Sequence, residues 1–136
     1  DMAKTKTGAI MVVTQMDDLA VFTEGGVEMN AEISIPIIES IFYKNSPLHD
    51  GAVIIRNNKI ISSRCVLPVS NNEDFPGHLG MRHRAAVGIT EESDAVAIIV
   101  SEETGEITYV KDGELFTKRT PVQLEKFLNR IFTQQQ

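Results

Sequence analysis

Cysteine, long apolar runs and positive charge are all scarce in this sequence of 136 residues. The single cysteine, Cys65, excludes a disulfide framework and fits a reducing cytosol. The longest apolar run covers only residues 95–100, whereas a transmembrane helix needs roughly 20 apolar residues. No charged-then-apolar signal peptide opens the chain. The net charge of −6 argues against broad nucleic-acid binding, which requires a basic face.

The remaining composition is that of one globular domain covering residues 1–136. Hydrophobic residues make up 42% and charged residues 24%, and the chain contains no linker, repeat or low-complexity tract. Because Asp1 precedes Met2, we expect the numbering to describe an excised fragment, which leaves a removed anchor or partner domain open.

Hydrophobic patterning predicts a chain in which strands and helices are interleaved. Apolar and β-branched runs indicate strands at residues 8–13, 52–55, 60–67, 94–100 and 107–110. Cap residues indicate helices at residues 34–43 with Ser34 as the N-cap, after Gly80, and from Thr120 onward. Polar tips predict at least two hairpins between the strands. The pattern therefore predicts a single mixed sheet covered by helices, in an α/β or α+β domain.

Three polar segments lie where strands end or helices begin, at residues 49–51, 80–84 and 101–103. Polar groups at strand ends are the usual way in which an α/β fold builds a site. The second segment contains an Arg-His-Arg cluster at residues 82–84, the one dense basic cluster of an acidic chain. A glycine, a helix start and two guanidiniums suit phosphate oxygens, but pairing with surface acids explains this segment equally well on its own.

The two acidic segments have equally open interpretations. Asp50 could hold a divalent metal or accept a proton from an attacking hydroxyl, but Asp-Gly is also a common turn dipeptide. His49 could ligate a metal or be structural. One carboxylate of Glu102 and Glu103 could complete a metal site with Asp50. Alternatively, both glutamates are solvated and Ser101 caps the turn.

In combination and in this order, the three segments resemble the diadenylate cyclase domain family. The resemblance rests on Asp50-Gly51-Ala52, then Arg82-His83-Arg84-Ala85-Ala86, then Ser101-Glu102-Glu103-Thr104-Gly105. Residues 46–54 and 67–70 are similar to the membrane-anchored branch of that family. The likeness extends from residue 6 to residue 132, and no P-loop, GxGxxG or zinc-spaced cysteine motif competes with it.

The resemblance implies a fold, a reaction and a set of site residues. The fold would be a mixed parallel and antiparallel sheet of about seven strands flanked by helices. The activity would be the condensation of two ATP molecules into cyclic di-AMP and two pyrophosphates. The implied catalytic residues are Asp50, Arg82, His83 and Arg84. The implied nucleotide-binding residues are Leu48, Gly51, Ala52, Val66, Leu67, Gly80, Met81, Arg82, Arg84, Ser101 and Glu102. The implied metal ligands are His49, Asp50, Glu102 and Glu103.

The same resemblance implies what these residues do. Asp50 would act with a divalent metal (Mn²⁺ or Mg²⁺, with Co²⁺ as the alternative) to activate the ribose 3′-hydroxyl. The basic cluster would bind or order the triphosphate. Leu67, through its backbone, and Val66 would border the adenine. Many members have Thr in place of Met81 and Tyr in place of Val66, so we expect altered affinity or rate, without loss of activity.

Partners and location also follow from the resemblance. ATP would be the substrate, cyclic di-AMP the product, and a regulatory protein a further partner, with no role for nucleic acid. Because the product is twofold symmetric and the chain has one set of motifs, we expect a face-to-face homodimer holding one ATP in each protomer. The domain would be cytoplasmic and tethered to the membrane by an N-terminal segment absent from this chain.

Three other functions fit individual segments. A nucleotide sensor would bind ATP in the same pocket without turning it over. A metal-dependent phosphohydrolase built from His49, Asp50 and Glu102 would release inorganic phosphate or AMP. A purely structural interaction domain would show no ATP-dependent thermal shift. None of the three explains why all the segments occur together in this order.

Overall fold

The computed structural model of the chain describes residues 8–14, 23, 25–43, 51–57, 59–68, 70, 80–101, 104–120, 122, 123 and 126. They include a seven-stranded sheet and two covering helices. The strands are β1 (Ala9–Val13), β2 (Val27–Glu32), β3 (Ala52–Arg56), β4 (Lys59–Cys65), β5 (Val96–Val100), β6 (Ile107–Lys111) and β7 (Glu114–Arg119). The helices are α1 (Ile35–Phe42) and α2 (Met81–Glu92).

The sheet is mixed, as predicted, because β1 and β3 are parallel while the other strand pairs are antiparallel. Its strand order is β2-β4-β3-β1-β5-β6-β7. The parallel pair makes β1 and β3 begin at the same end of the sheet, where their antiparallel neighbours β4 and β5 end. We call this the site end of the sheet, and it is marked by Ala9, Ala52, Cys65 and Val100.

Each face of the sheet carries its own apolar core, one with residues of α2 and the other with residues of α1. The face under α2 buries Ile10, Val12, Ala52, Ile54, Cys65, Leu67, Ala86, Val87, Ile89, Ala95, Ala97, Ile99 and Val110. The face under α1 buries Ala9, Ile41, Phe42, Val53, Ile55, Ile60 and Val100. All five residues of β5 are buried, and a strand covered on both faces is apolar throughout instead of alternating.

Helix α1 begins where the sequence predicts. Ser34 is extended, and its hydroxyl oxygen accepts a hydrogen bond from the N–H of Ile37 at 3.3 Å. Pro36 lies in the first turn, where a helix does not need the missing N–H. The helix packs on the sheet through an apolar face, in which Ile41 and Phe42 are both almost fully buried.

The turn between β6 and β7 and the start of the last predicted helix are also confirmed. Asp112 and Gly113 form the two-residue hairpin loop with φ values of +53° and +77°. At the helix start, the hydroxyl of Thr120 accepts from the N–H of Gln123 at 3.2 Å, and the Gln123 side chain accepts from the N–H of Thr120 at 2.9 Å. This reciprocal pair is a capping box.

The last turn of α2 carries charge of the unfavourable sign. It contains the exposed Glu91 and Glu92 and no basic residue, although the carbonyl end of a helix dipole is negative. We expect Glu92→Lys to raise the free energy of unfolding by about 0.3–1 kcal/mol in low-salt urea titrations. Most of this gain should disappear in about 1 M salt. Unchanged or lower stability at low salt would contradict the electrostatic explanation.

Candidate nucleotide site

Five described segments of the chain meet at the site end of the sheet. Strand register fixes four of them, because β1 and β3 begin here while β4 and β5 end here. The residues directly flanking these strands are Gly8, Gly51, Val66 and Ser101. The fifth segment is the first turn of α2, which reaches this end through Arg82. The basic cluster therefore lies at the same end as Gly51 and Ser101, the described members of the two acidic segments.

The guanidinium of Arg82 lies against the α-carbon of Gly8. A β-carbon placed on Gly8 would lie 2.9 Å from Cζ and Nη1 of Arg82 and 3.0 Å from Nη2. Three nearly equal distances place the glycine against the face of the planar group instead of its edge. This contact joins the start of α2 to the start of β1, and no sequence pattern predicted it.

The three residues of the basic cluster do not share one side of α2, because successive residues of an α-helix are about 100° apart. His83 is 9% exposed and belongs to the buried side of the helix, whereas Arg82 and Arg84 are partly exposed. The imidazole of His83 therefore does not share the accessible surface that carries the two guanidiniums. The arginines are accessible, and the imidazole is packed inside the fold.

Close backbone contacts fix α2 to the segment that follows β4. The N–H of Ser70 donates to the carbonyl oxygen of Arg84 at 3.1 Å. One turn further along α2, a β-carbon on Gly88 would lie 2.7 Å from the carbonyl carbon of Pro68 and nearer still to its oxygen. Glycine at this position permits the approach. The contacts hold Leu67, a predicted neighbour of adenine, in the core beside the arginine-bearing helix.

Gly51 is required by the fold itself. Its φ is +122°, and an added β-carbon would lie 2.8 Å from the carbonyl carbon and 2.9 Å from the α-carbon of Arg64. The β3–β4 register shifts at this point, and Arg64 has a φ of +54°, which together indicate a β-bulge. The backbone of β4 fills the space that a side chain of Gly51 would occupy, so the predicted nucleotide contact of Gly51 would have to use the rest of its backbone.

Ser101 caps the turn between β5 and β6. Its hydroxyl oxygen accepts from the N–H of Thr104 at 3.3 Å, its N–H donates to the carbonyl of Glu106 at 3.0 Å, and its own carbonyl accepts from Gly105 at 2.9 Å. Ser101 therefore caps this turn, as one of the two interpretations predicts, whereas Glu102 and Glu103 lie outside the described residues. A hydroxyl that accepts a hydrogen bond is also a donor, so contact with a phosphate is compatible with this role and stays a prediction.

Exposed apolar side chains border the same end. Val66 is 78% exposed and Met81 is 66% exposed, whereas Ala52 and Leu67 are buried in the core under α2. A ligand or a second chain can therefore reach the side chains of Val66 and Met81. At Gly80, which precedes α2, an added β-carbon would meet no atom of the residues that the structure describes within 4 Å.

Cys65 is a core residue. It is 1% exposed, and its thiol donates to the carbonyl of Ser63 at 3.7 Å. Burial raises the pKa of the Cys65 thiol, and the hydrogen bond with Ser62 opposes this in part. The thiol therefore stays protonated and is a poor nucleophile.

The predicted metal ligands lie outside the described residues. These are His49, Asp50, Glu102 and Glu103, and the predicted nucleotide neighbour Leu48 lies outside them as well. Within the described ranges, no group of three or more His, Cys, Asp and Glu side chains could hold a metal ion. The donor set of carboxylates with one imidazole suits a divalent cation. Asp50 and Glu102 are each bonded to a residue of the site end, Gly51 and Ser101.

Comparison with known proteins identifies the family. Residues 1–115 match the DAC family, described as DisA bacterial checkpoint controller nucleotide-binding. A diadenylate cyclase of Listeria monocytogenes is 47% identical over 130 residues, which are 93% of this chain and 46% of that protein. A crystal structure of a DacA double mutant from Staphylococcus aureus superposes with a TM-score of 0.92 at 42% identity, over 95% of this chain and 86% of that chain.

A third relative bears on the question of membrane attachment. The structure of a hypothetical membrane spanning protein from Bacillus cereus matches with a TM-score of 0.84 at 41% identity, over 88% of this chain and 58% of that chain. Neither α1 nor α2, nor any other described helical segment, has the length and apolar content of a membrane span. The chain spans about half the length of the curated relatives that it matches. Family model, relatives and superposition agree, and the chain belongs to the DAC family.

Proposed function

We propose that this chain is a diadenylate cyclase domain that condenses two ATP molecules into cyclic di-AMP. In each half-reaction the ribose 3′-oxygen of one ATP forms a bond to the α-phosphorus of the other. The bond from that phosphorus to the pyrophosphate oxygen breaks, and the hydroxyl proton passes to the carboxylate of Asp50. Two such steps give one cyclic dinucleotide and two pyrophosphates.

The observation that carries this proposal is the meeting of the Gly51, Ser101 and Arg82 segments at one end of the sheet. Membership of the DAC family supports the same reaction, and relatives of this chain are named diadenylate cyclase. If the arginines only formed ion pairs on the surface, their helix would not need to start beside the two acidic segments at residues 49–51 and 101–103.

The two accessible arginines have the chemistry needed for the phosphates. Guanidinium groups pair with phosphate oxygens through two parallel N–H bonds, and fixed donors of this kind stabilise charge that develops during phosphoryl transfer. Arg82 and Arg84 are both partly exposed on the first turn of α2. The buried His83 would order this turn and leave phosphate contact to the arginines.

The four predicted metal ligands would hold a divalent cation, Mn²⁺, Mg²⁺ or Co²⁺. Asp50, His49, Glu102 and Glu103 are donors of the type that such cations bind in proteins. A bound cation would lower the pKa of the ribose hydroxyl and neutralise phosphate charge. Asp50 would orient that hydroxyl and accept its proton.

Adenine would lie against the segment after β4. Val66 presents an exposed apolar side chain there, and the side chain of Leu67 is buried in the core, which leaves its backbone as the group that would border the base. Val66 offers less area for stacking than an aromatic residue would. Leu48, Gly51, Ala52, Gly80 and Met81 complete the proposed border of the nucleotide.

Catalysis would require a homodimer, since each protomer supplies one nucleotide and one metal site. We therefore expect the rate per protomer to fall in proportion to protein concentration once dilution separates the dimer. Initial rates and sedimentation velocity over the same dilution series would measure this. A constant rate per protomer at concentrations where the chain sediments as a monomer would contradict it.

We also propose that this unit is a catalytic domain, 1–136, of a membrane-tethered protein regulated by a protein partner. The named membrane spanning relative and the greater length of the relatives support this placement.

Mass spectrometry of the products distinguishes this function from its rivals. The chain is incubated with ATP and Mn²⁺, Mg²⁺ or Co²⁺, and we expect cyclic di-AMP and pyrophosphate. Inorganic phosphate or AMP would indicate a phosphohydrolase. An ATP-dependent thermal shift without any product would indicate a sensor, and no shift at all would indicate a structural domain.

A further inference from the structure

We propose that Gly8 is a positioning residue for the reaction, because its bare α-carbon is the surface on which the guanidinium of Arg82 is seated. This inference rests on the proposed function, in which Arg82 serves the triphosphate. Gly8 precedes β1 and lies outside the three polar segments. It would act on the nucleotide only through Arg82.

The contact is made by the face of the guanidinium. A β-carbon on Gly8 would lie almost equally far, 2.9 to 3.0 Å, from three atoms of that planar group. The N–H donors of arginine lie in the plane, around its rim. Seating the group by its face therefore fixes the plane in which those donors point, and bidentate phosphate binding depends on that plane.

Gly8 adjoins a rigid strand of the sheet, whereas the side chain of Arg82 is flexible. Arginine loses rotamer entropy when its side chain is fixed, so each contact that orders the guanidinium before binding matters. Gly8 directly precedes Ala9, which is fully buried and pairs with Val100 on the neighbouring strand. The contact thus fixes the position of the Arg82 guanidinium relative to the central strand of the sheet. Holding the guanidinium there would reduce the entropy that is lost when the triphosphate binds.

A side chain at Gly8 would move the arginine and leave the fold intact. Ordinary β-carbon contacts are 3.4 Å or longer, so the guanidinium would have to shift by about 0.5 Å or more. The displaced atoms are the far end of a flexible side chain, which can move at small cost. Gly8 is not among the positive-φ glycines, so alanine is compatible with its backbone. Glycine is needed here for the position of Arg82 and not for the course of the chain.

A double-mutant cycle between Gly8→Ala and Arg82→Ala tests the proposal. We expect Gly8→Ala to lower kcat/KM for cyclic di-AMP synthesis about tenfold or more, because misplacement on the ångström scale costs up to about 10²-fold. Its midpoint of thermal unfolding should stay within about 2 °C of the parent chain. In the Arg82→Ala background, where no guanidinium remains to be displaced, Gly8→Ala should have no further effect.

The cycle is also measured on the affinity for a fluorescent ATP analogue, which does not depend on turnover. A chain that binds nucleotide but makes no cyclic di-AMP would refute the proposed function, and the affinity cycle would still test the seat. If Gly8→Ala lowered kcat/KM and nucleotide affinity equally in both backgrounds, or lowered neither in the parent background, the proposal that Gly8 positions Arg82 would be refuted. Should Gly8→Ala unfold the chain, recovery of folding in the double variant would support a clash with the guanidinium, and continued unfolding would refute it.

Discussion

Replacing Asp50 with Asn is expected to abolish cyclic di-AMP synthesis while the domain stays folded. The amide keeps the size of the side chain but can neither accept a proton nor supply a negative charge to a cation. Loss of a general base alone lowers rates by about 10²- to 10⁴-fold, and weaker metal binding adds to this. The product is quantified by mass spectrometry, and far-ultraviolet circular dichroism establishes that the fold is retained.

Asp112→Asn is the matched control for that variant. Asp112 occupies the β6–β7 hairpin loop, where it is exposed and pairs with Lys111 at 3.2 Å. Asparagine tolerates the positive φ of this position, so both folding and turnover should be unchanged. Full activity in Asp50→Asn would remove Asp50 from the chemistry, and equal losses in both variants would point to a general effect of lost charge.

The second large effect is expected from Gly88→Ala, which should destabilise the domain strongly. The new methyl group would collide with the carbonyl of Pro68, and neither backbone can yield without breaking the hydrogen bond between Ser70 and Arg84. Overpacking costs about 1–3 kcal/mol, and the lost hydrogen bond adds about 1 kcal/mol. We expect the midpoint of thermal unfolding to fall by about 10 °C or more.

Helix propensity alone predicts the opposite sign, which makes this substitution informative. Alanine stabilises a helix interior by about 1 kcal/mol relative to glycine. Gly80→Ala, at the N-cap of the same helix, meets no described atom within 4 Å and serves as the control, with a much smaller fall in the unfolding midpoint that reflects only the less favourable cap. If Gly88→Ala were as stable as the parent chain or more so, α2 would not be packed against the segment after β4 in the way described.

Most of the fold could be predicted because its signals are local. The N-cap of α1, the β6–β7 loop and the start of α2 after Gly80 each depend on residues within one turn of each other. The strands β7 and β2 were both missed. In β2, Val27, Met29 and Ala31 alternate with polar residues as in a half-buried strand. Its register bulge and the positive φ of Asn30 interrupt an already short pattern.

The candidate site was predictable only in part, because a site depends on contacts between distant segments. The order of the polar segments indicated the family, and the family indicated the arginines. Nothing in the local sequence showed that Gly8 contacts Arg82, or that Gly88 lets α2 approach Pro68. The burial of His83 between two accessible arginines follows from helix geometry, and it could have been anticipated once the helix was predicted to start at Gly80.

The most direct measurement is a crystal structure of the domain with 3′-deoxy-ATP and a divalent cation. This analogue lacks the attacking hydroxyl, so the bound state cannot proceed to product. We expect the triphosphate to contact Arg82 and Arg84 at the start of α2, with the cation on Asp50 beside the same nucleotide. A triphosphate bound away from α2, or a cation held without Asp50, would contradict this expectation.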